Sequence, residues 1–202
     1  EYGSNNITKL EYAKMLSASL SYLMIKQQDA VSLTLFDDKI VDYTPPRSKT
    51  SHLKFLLSKM EKIQCGIDTK ISPVLHQTAE MIKQKGLIIL ISDLFDNPED
   101  IISGLKHFRY NGHEVIVFHI LDNQELNLEF DHNTRFKDNE TGEEIITQPW
   151  HIKKDYQKSI RDFCKNFKHQ FRINHIDYVI LPTNKSLNIA LSEYLIKRKR
   201  IM

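Results

Sequence analysis

A chain of 202 residues, 41% hydrophobic and 27% charged, suits one ordinary globular domain with enough length to bury a sizeable core. Its formal charge of +2 excludes a global electrostatic pull toward nucleic acid or anionic membrane, so any partner must be recognised locally. Cys65 and Cys164 form no C-x-x-C pair, and no apolar run reaches bilayer length; a domain of the cytoplasm is expected, without disulfides or membrane contact of its own.

In chain order, Thr8-Lys-Leu-Glu11 reads as a capping box, and Leu10, Ala13, Leu16, Leu20, Leu23 and Met24 follow at helical spacing. Val31 to Phe36 reads as a strand that Asp37-Asp38 turns into a second one ending near Thr44, where Pro45-Pro46 stops it. Leu53, Leu56, Leu57, Met60 and Ile63 mark a helix. Ser72-Pro73 caps and opens a third, carrying Val74, Leu75, Ala79 and Ile82. Leu87 to Ser92 is apolar without alternation up to its serine, the pattern of a strand buried on both faces, and Asp93 marks its exposed C-terminal end.

Asn97-Pro98-Glu-Asp100 supplies an N-cap, a first-turn proline and two acids suited to a helix N-terminus, and Gly112 closes that helix. Glu114 to Leu121 is another strand, so strand and helix alternate as in a parallel α/β sheet. From about Glu125 to Thr147 the rhythm breaks: Leu126, Leu128 and Phe130 alternate with polar residues, and Asp138 to Gly142 is turn-like, an inserted β-hairpin arm. A charged helix from roughly His151 to Arg172, a strand from Ile176 to Leu181 and a terminal helix to about Lys199 complete the chain. Tyr156, Ile160, Phe163, Phe167 and Phe171 form an aromatic stripe that is expected to pack on the sheet.

The common catalytic signatures are missing. The six glycines are scattered, with no G-x-G-x-x-G, Walker loop or G-x-S-x-G elbow. Nine histidines form no zinc pattern, and His119 reads as a satisfied core or edge histidine. Ser17, Ser19 and Ser21 fall inside the first helix and read as packing and surface residues. Lys197 to Arg200 complements a helix C-terminus and reads as solvated, so no nucleic-acid partner is expected. Asp93 and Asp96 remain. The edge beyond the C-terminal ends of parallel strands is where open α/β sheets bind ligands, and Asp93 belongs there; equally, it suits a loop acid capping the next helix.

The succession "YGSNNITKLEYAKMLSASLSYLMIKQQDAVSLTLFDD", "YTPPRSKTSHLKFLLSKME", "LIILISDLFDNPEDI", "VFHILDNQELNLEF" and "TRFKDNETGEE" resembles the bacterial family called domain of unknown function 58 across essentially the whole chain. The resemblance implies a Rossmann-like, von Willebrand factor type A-like three-layer fold. It implies a mostly parallel central sheet with one antiparallel edge strand, and a single domain over 1–202 with the hairpin arm at 125–147 inserted. Type A domains hold magnesium or manganese at an adhesion-type site of hard oxygens, with D-x-S-x-S on the first strand. By resemblance the site's threonine is Thr69 and its aspartate Asp93. The D-x-S-x-S motif is not in this sequence, which begins with Glu1-Tyr-Gly-Ser4, so the first strand is expected upstream and weak metal binding is expected here. Ser4 and Asp68 match no metal position.

Family members resemble components of systems with MoxR-type AAA+ ATPases. The implied function is a non-catalytic adaptor that binds a partner's acidic residue through the metal, the partner being such an ATPase or its substrate. The alternative is a magnesium-dependent phosphohydrolase using Asp93 and Asp96.

Overall fold

The apolar run from Leu87 to Ser92 forms strand β3, and its neighbours explain why it lacks polar alternation. In the computed structural model, which describes residues 7–63, 71–128, 134–137, 144–147, 149–188, 191, 192 and 195, β3 pairs in parallel with β4 (Glu114–Leu121). Strand β4 pairs in parallel with β7 (Asp177–Pro182), giving the order β3-β4-β7. Successive residues face opposite layers. Ile88, Leu90, Val115 and Val117 pack with helices α3 (Ile71–Met81), α4 (Pro98–Tyr110) and α6 (Pro149–Ile173). Leu87, Ile89, Ile91, Ile116, Phe118 and Ile120 pack with α1 (Lys9–Lys26) and with Leu187, Leu191 and Leu195. Both faces are therefore covered by apolar side chains, and the protein is a mixed α/β structure around a parallel sheet that has three strands among the described residues.

Helix α1 begins where the capping box places it: Thr8 Oγ1 accepts from Glu11 N at 3.2 Å, and Glu11 Oε2 accepts from Thr8 N at 2.9 Å. One face buries Tyr12, Leu16 and Leu20 on the sheet, and Ile25 meets Leu56 and Met60 of α2 (Thr50–Glu61). Asn97 caps α4 through Glu99 N at 3.0 Å, and Gly112, at φ +84°, turns the chain into β4. The aromatic stripe of α6 packs as expected, with Phe167 and Phe171 fully buried.

Four expectations change. The antiparallel pair is not a single edge strand on the central sheet: β1 (Val31–Phe36) and β2 (Ile40–Arg47) form a separate two-stranded sheet among the described residues. Strand β2 also runs through Pro45 and Pro46 to Arg47. The pairing slips between Val31 and Leu33, and a bulge on an outer strand tolerates residues without an N–H. Helix α3 starts at Ile71 rather than after a Ser72 cap; Pro73 lies in its first turn, where no N–H is needed. The stretch from Leu126 to Leu128, read as strand-like, belongs to α5 (Asn123–Asn127) and its cap. Asp122 and Glu125 form a second capping box, and Leu128, at φ +48°, ends the helix in the left-handed region. Beyond it, β5 (Thr134–Lys137) and β6 (Glu144–Thr147) form an antiparallel pair.

Candidate functional site

Asp93 follows the last residue of β3, at the C-terminal edge of the parallel sheet. A tight turn holds it there: Leu94 adopts φ +55° and donates from its N–H to Ser92 Oγ at 3.0 Å, while Asp96 N donates to Leu94 O at 2.9 Å. A left-handed leucine is strained. Complete burial of the Leu94 side chain in the core offsets that cost.

The neighbouring strand fixes the backbone at the same point. His119, fully buried on β4, donates from Nε2 to the Asp93 carbonyl at 2.8 Å, and its Nδ1 lies 2.6 Å from the Tyr178 hydroxyl. With Nε2 bound to a carbonyl, the neutral ring accepts the Tyr178 proton at Nδ1. Burial pushes the His119 pKa down to about 4, against the pull of the Asp93 carbonyl and carboxylate, so the ring is neutral at physiological pH. Its neighbours Phe163 and Phe167 present edges at 6.0 and 6.2 Å between ring centroids. His119 is thus a satisfied core histidine, both of its nitrogens engaged by protein.

A cation meets the Asp93 side chain. Lys9 Nζ, from the first turn of α1, lies 2.8 Å from Asp93 Oδ2 and 2.7 Å from Glu125 Oε1 on α5. It also sits 5.1 Å from the ring centroid of Phe95. Burial by itself lowers the pKa of Lys9; attraction and hydrogen bonds from Asp93 and Glu125 outweigh it and raise the value. The Lys9 and Glu125 side chains are 17% and 15% exposed, whereas Asp93 is 40% exposed and faces solvent beside Phe95, itself 50% exposed. The edge therefore joins a clamped cation, a solvent-facing carboxylate and an exposed ring.

The other acids at this edge each accept from at least one backbone N–H. Asp96 Oδ2 accepts from Ile71 N at 2.9 Å, capping α3 from 25 positions away, and its Oδ1 accepts from Asn97 N at 2.7 Å. Asp122 is fully buried, accepting from Gln124 N at 2.9 Å and from Thr183 Oγ1 at 3.0 Å. Glu125 Oε2 accepts from Asp122 N at 2.8 Å.

Of the two metal positions implied by resemblance, Asp93 lies at the C-terminal edge of the sheet, and Thr69 lies outside the described residues. Ser4, Asp68 and Cys65 do too. Among the described residues no three His, Cys, Asp or Glu side chains converge as a metal site requires. Of the Asp93 carboxylate, Oδ2 is bound to the Lys9 ammonium. The sequence reading missed Lys9, Phe95 and Glu125. Asp122-x-x-Glu125 has the pattern of a capping box, but nothing local announces that Lys9 reaches Asp93 and Glu125 across 84 and 116 positions.

Among curated proteins, none matches the chain. Among solved structures, the crystal structure of the conserved hypothetical protein BatB from Bacteroides thetaiotaomicron is similar over 95% of this chain and 88% of that one, at 19% identity and a TM-score of 0.60. That likeness concerns the fold. Residues 1–165 match the family described as protein of unknown function DUF58, and the chain belongs to that family.

Proposed function

We propose that the chain is a non-catalytic protein–protein interaction module of von Willebrand factor type A-like fold that meets its partner at the C-terminal edge of the sheet. The observation that carries this reading is the pairing of a solvent-facing Asp93 with an exposed Phe95 over a rigid base. His119 fixes the Asp93 backbone and Lys9 fixes its side chain, so the edge is pre-organised for contact. An aromatic ring next to a charge is a common binding anchor. The family resemblance points to a MoxR-type AAA+ ATPase, or its substrate, as the partner. The contact proposed needs no magnesium or manganese ion, since the cation beside Asp93 Oδ2 is the Lys9 ammonium. The phosphohydrolase alternative loses support for a related reason: both Asp96 oxygens serve backbone N–H groups.

The test is calorimetric titration of a MoxR-type ATPase from the same genome into the chain, its Asp93→Ala variant and its Phe95→Ala variant. Binding weakened at least tenfold by each substitution, an ordinary hot-spot effect, is the expected result. Binding indifferent to both would move the interface elsewhere. Turnover of a phosphate ester dependent on magnesium and lost in Asp93→Ala would replace the module with an enzyme.

A further inference from the structure

The solvent crest of α6 carries a single file of cations. Lys154, Lys158, Arg161, Lys165, Lys168 and Arg172 recur at alternating steps of four and three residues, and all are exposed. At 100° per residue this spacing confines them to an arc of about 80°, and at 1.5 Å per residue the file runs for about 27 Å. Ile160, Cys164, Phe167 and Phe171 are buried along one flank of the crest, about 110° round the helix from its centre. The acids of the helix, Asp155 and Asp162, sit off the crest on the other flank. Among the described residues the ion pairs involve only Lys9 and Lys59, so none of the six crest cations has a carboxylate partner.

Such a file works against the helix that bears it. Like charges three and four residues apart destabilise a helix, and here each cation after Lys154 follows another at one of those steps. A face that needs only solvation has no use for one sign of charge. The rest of the chain mixes both signs and is net negative once the file is set aside. The whole-chain charge of +2 conceals this segregation.

We propose that the crest of α6 is a peripheral docking surface for an anionic lipid bilayer. Geometry selects this partner. A straight, rigid file reaches a plane with all six cations at once, whereas the phosphates of a nucleic-acid duplex wind away from a straight line. Single-stranded nucleic acid is held by aromatic stacking as well as charge, and the crest offers no aromatic side chain. As a protein interface, a strip about 27 Å by about 10 Å falls well short of the roughly 800 Å² per partner of a stable complex. A bilayer needs no such area. Each Lys or Arg near an anionic leaflet strengthens binding by about fivefold, and six together by on the order of ten-thousand-fold over a neutral surface. The crest has no apolar side chain to insert, so the contact is electrostatic, reversible and sensitive to salt. It is independent of the partner proposed for the sheet edge.

The experiment is co-sedimentation of the 202-residue chain with vesicles of phosphatidylcholine alone, and with one lipid in three replaced by phosphatidylglycerol. Partitioning onto the anionic vesicles only, lost as salt is raised, is expected. The K158A/K165A/K168A variant should partition about a hundredfold less. A control, K54A/K62A/K83A, removes the same charge from exposed positions off the crest and should stay within about twofold of the parent, a small part of the fivefold expected per crest cation. Unchanged melting of both variants shows that both fold. No partitioning onto anionic vesicles, equal losses in the two variants, or tighter binding to a DNA duplex at matched phosphate concentration would each overturn the proposal.

Discussion

His119 shows how a polar residue is paid for inside a core. Its two hydrogen bonds offset the cost of burying a ring, and they do so only while the ring is neutral. The sign of its pH dependence follows. The folded-state pKa is about 4 and the ordinary value 6.5, so between those limits the unfolded chain takes up a proton that the folded one refuses. Stability contributed by this residue is present above about pH 6.5 and falls, by about 3 kcal/mol in all, as pH drops to about 4. His119→Gln should cost about 1–3 kcal/mol at pH 7, since it misplaces bonds to the Asp93 carbonyl and Tyr178. Urea unfolding of both proteins at pH 7 and pH 4.5, as round experimental conditions bracketing this range, should show the gap narrowing in acid. A gap of constant size would mean that the fold does not lower the pKa of this histidine. The core role was legible from an imidazole within an apolar strand; its hold on the Asp93 carbonyl was not, because that bond joins two strands adjacent only in the folded sheet.

At the scale of elements, the legible parts were those with local chemistry. The Thr8–Glu11 box and Asn97-Pro98 fix the starts of α1 and α4 through bonds within three residues. The misread parts were decided from a distance. Asp96 caps α3 from beyond β3, so the start of that helix is not written in the residues before it. Pro45 and Pro46 end a strand only when both sides must pair, and β2 has a single partner among the described residues. The approach of α3 to α4 is similarly non-local. A methyl group on Gly104 would lie 2.7 Å from Leu75 Cβ and 2.9 Å from Leu75 Cδ1. Because Cβ cannot swing away without its helix, Gly104→Ala is expected to cost about 1–3 kcal/mol through overpacking, outweighing at most about 1 kcal/mol of helix propensity. Gly86, with nothing within 4 Å of its added carbon, supplies the contrast. Gly86→Ala should leave the denaturation midpoint unchanged or slightly raised, and a midpoint equally unchanged in Gly104→Ala would show that α3 and α4 can part.

Across the whole molecule, Lys9 ties three elements that the sequence presents separately: α1, the end of β3 and α5. The α/β alternation was legible because burial on two faces writes itself into every strand. The candidate site was legible only at Asp93, since a strand ending on an acid is a local pattern and a lysine chosen by two distant carboxylates is not. That difference makes Lys9 the decisive residue for the edge. Lys9→Met keeps an unbranched apolar side chain of nearly the same length but removes the ammonium from Phe95 and leaves Asp93 and Glu125 facing each other without the cation. A loss of about 1–3 kcal/mol is expected at pH 7, below the figure for a fully buried pair because Asp93 is 40% exposed. The raised pKa of Lys9 sets the window. Its contribution is fully present below the ordinary value of 10.5 and is lost as pH rises through the higher folded-state value. Denaturation of parent and variant from pH 7 to pH 12, round limits spanning the titration of lysine, should therefore give a constant gap up to about pH 10 that closes in stronger alkali. A gap already closed at pH 9 would mean that the ammonium gains nothing from its two partners. The edge would then have to be held by the Asp93 backbone bond to His119 alone.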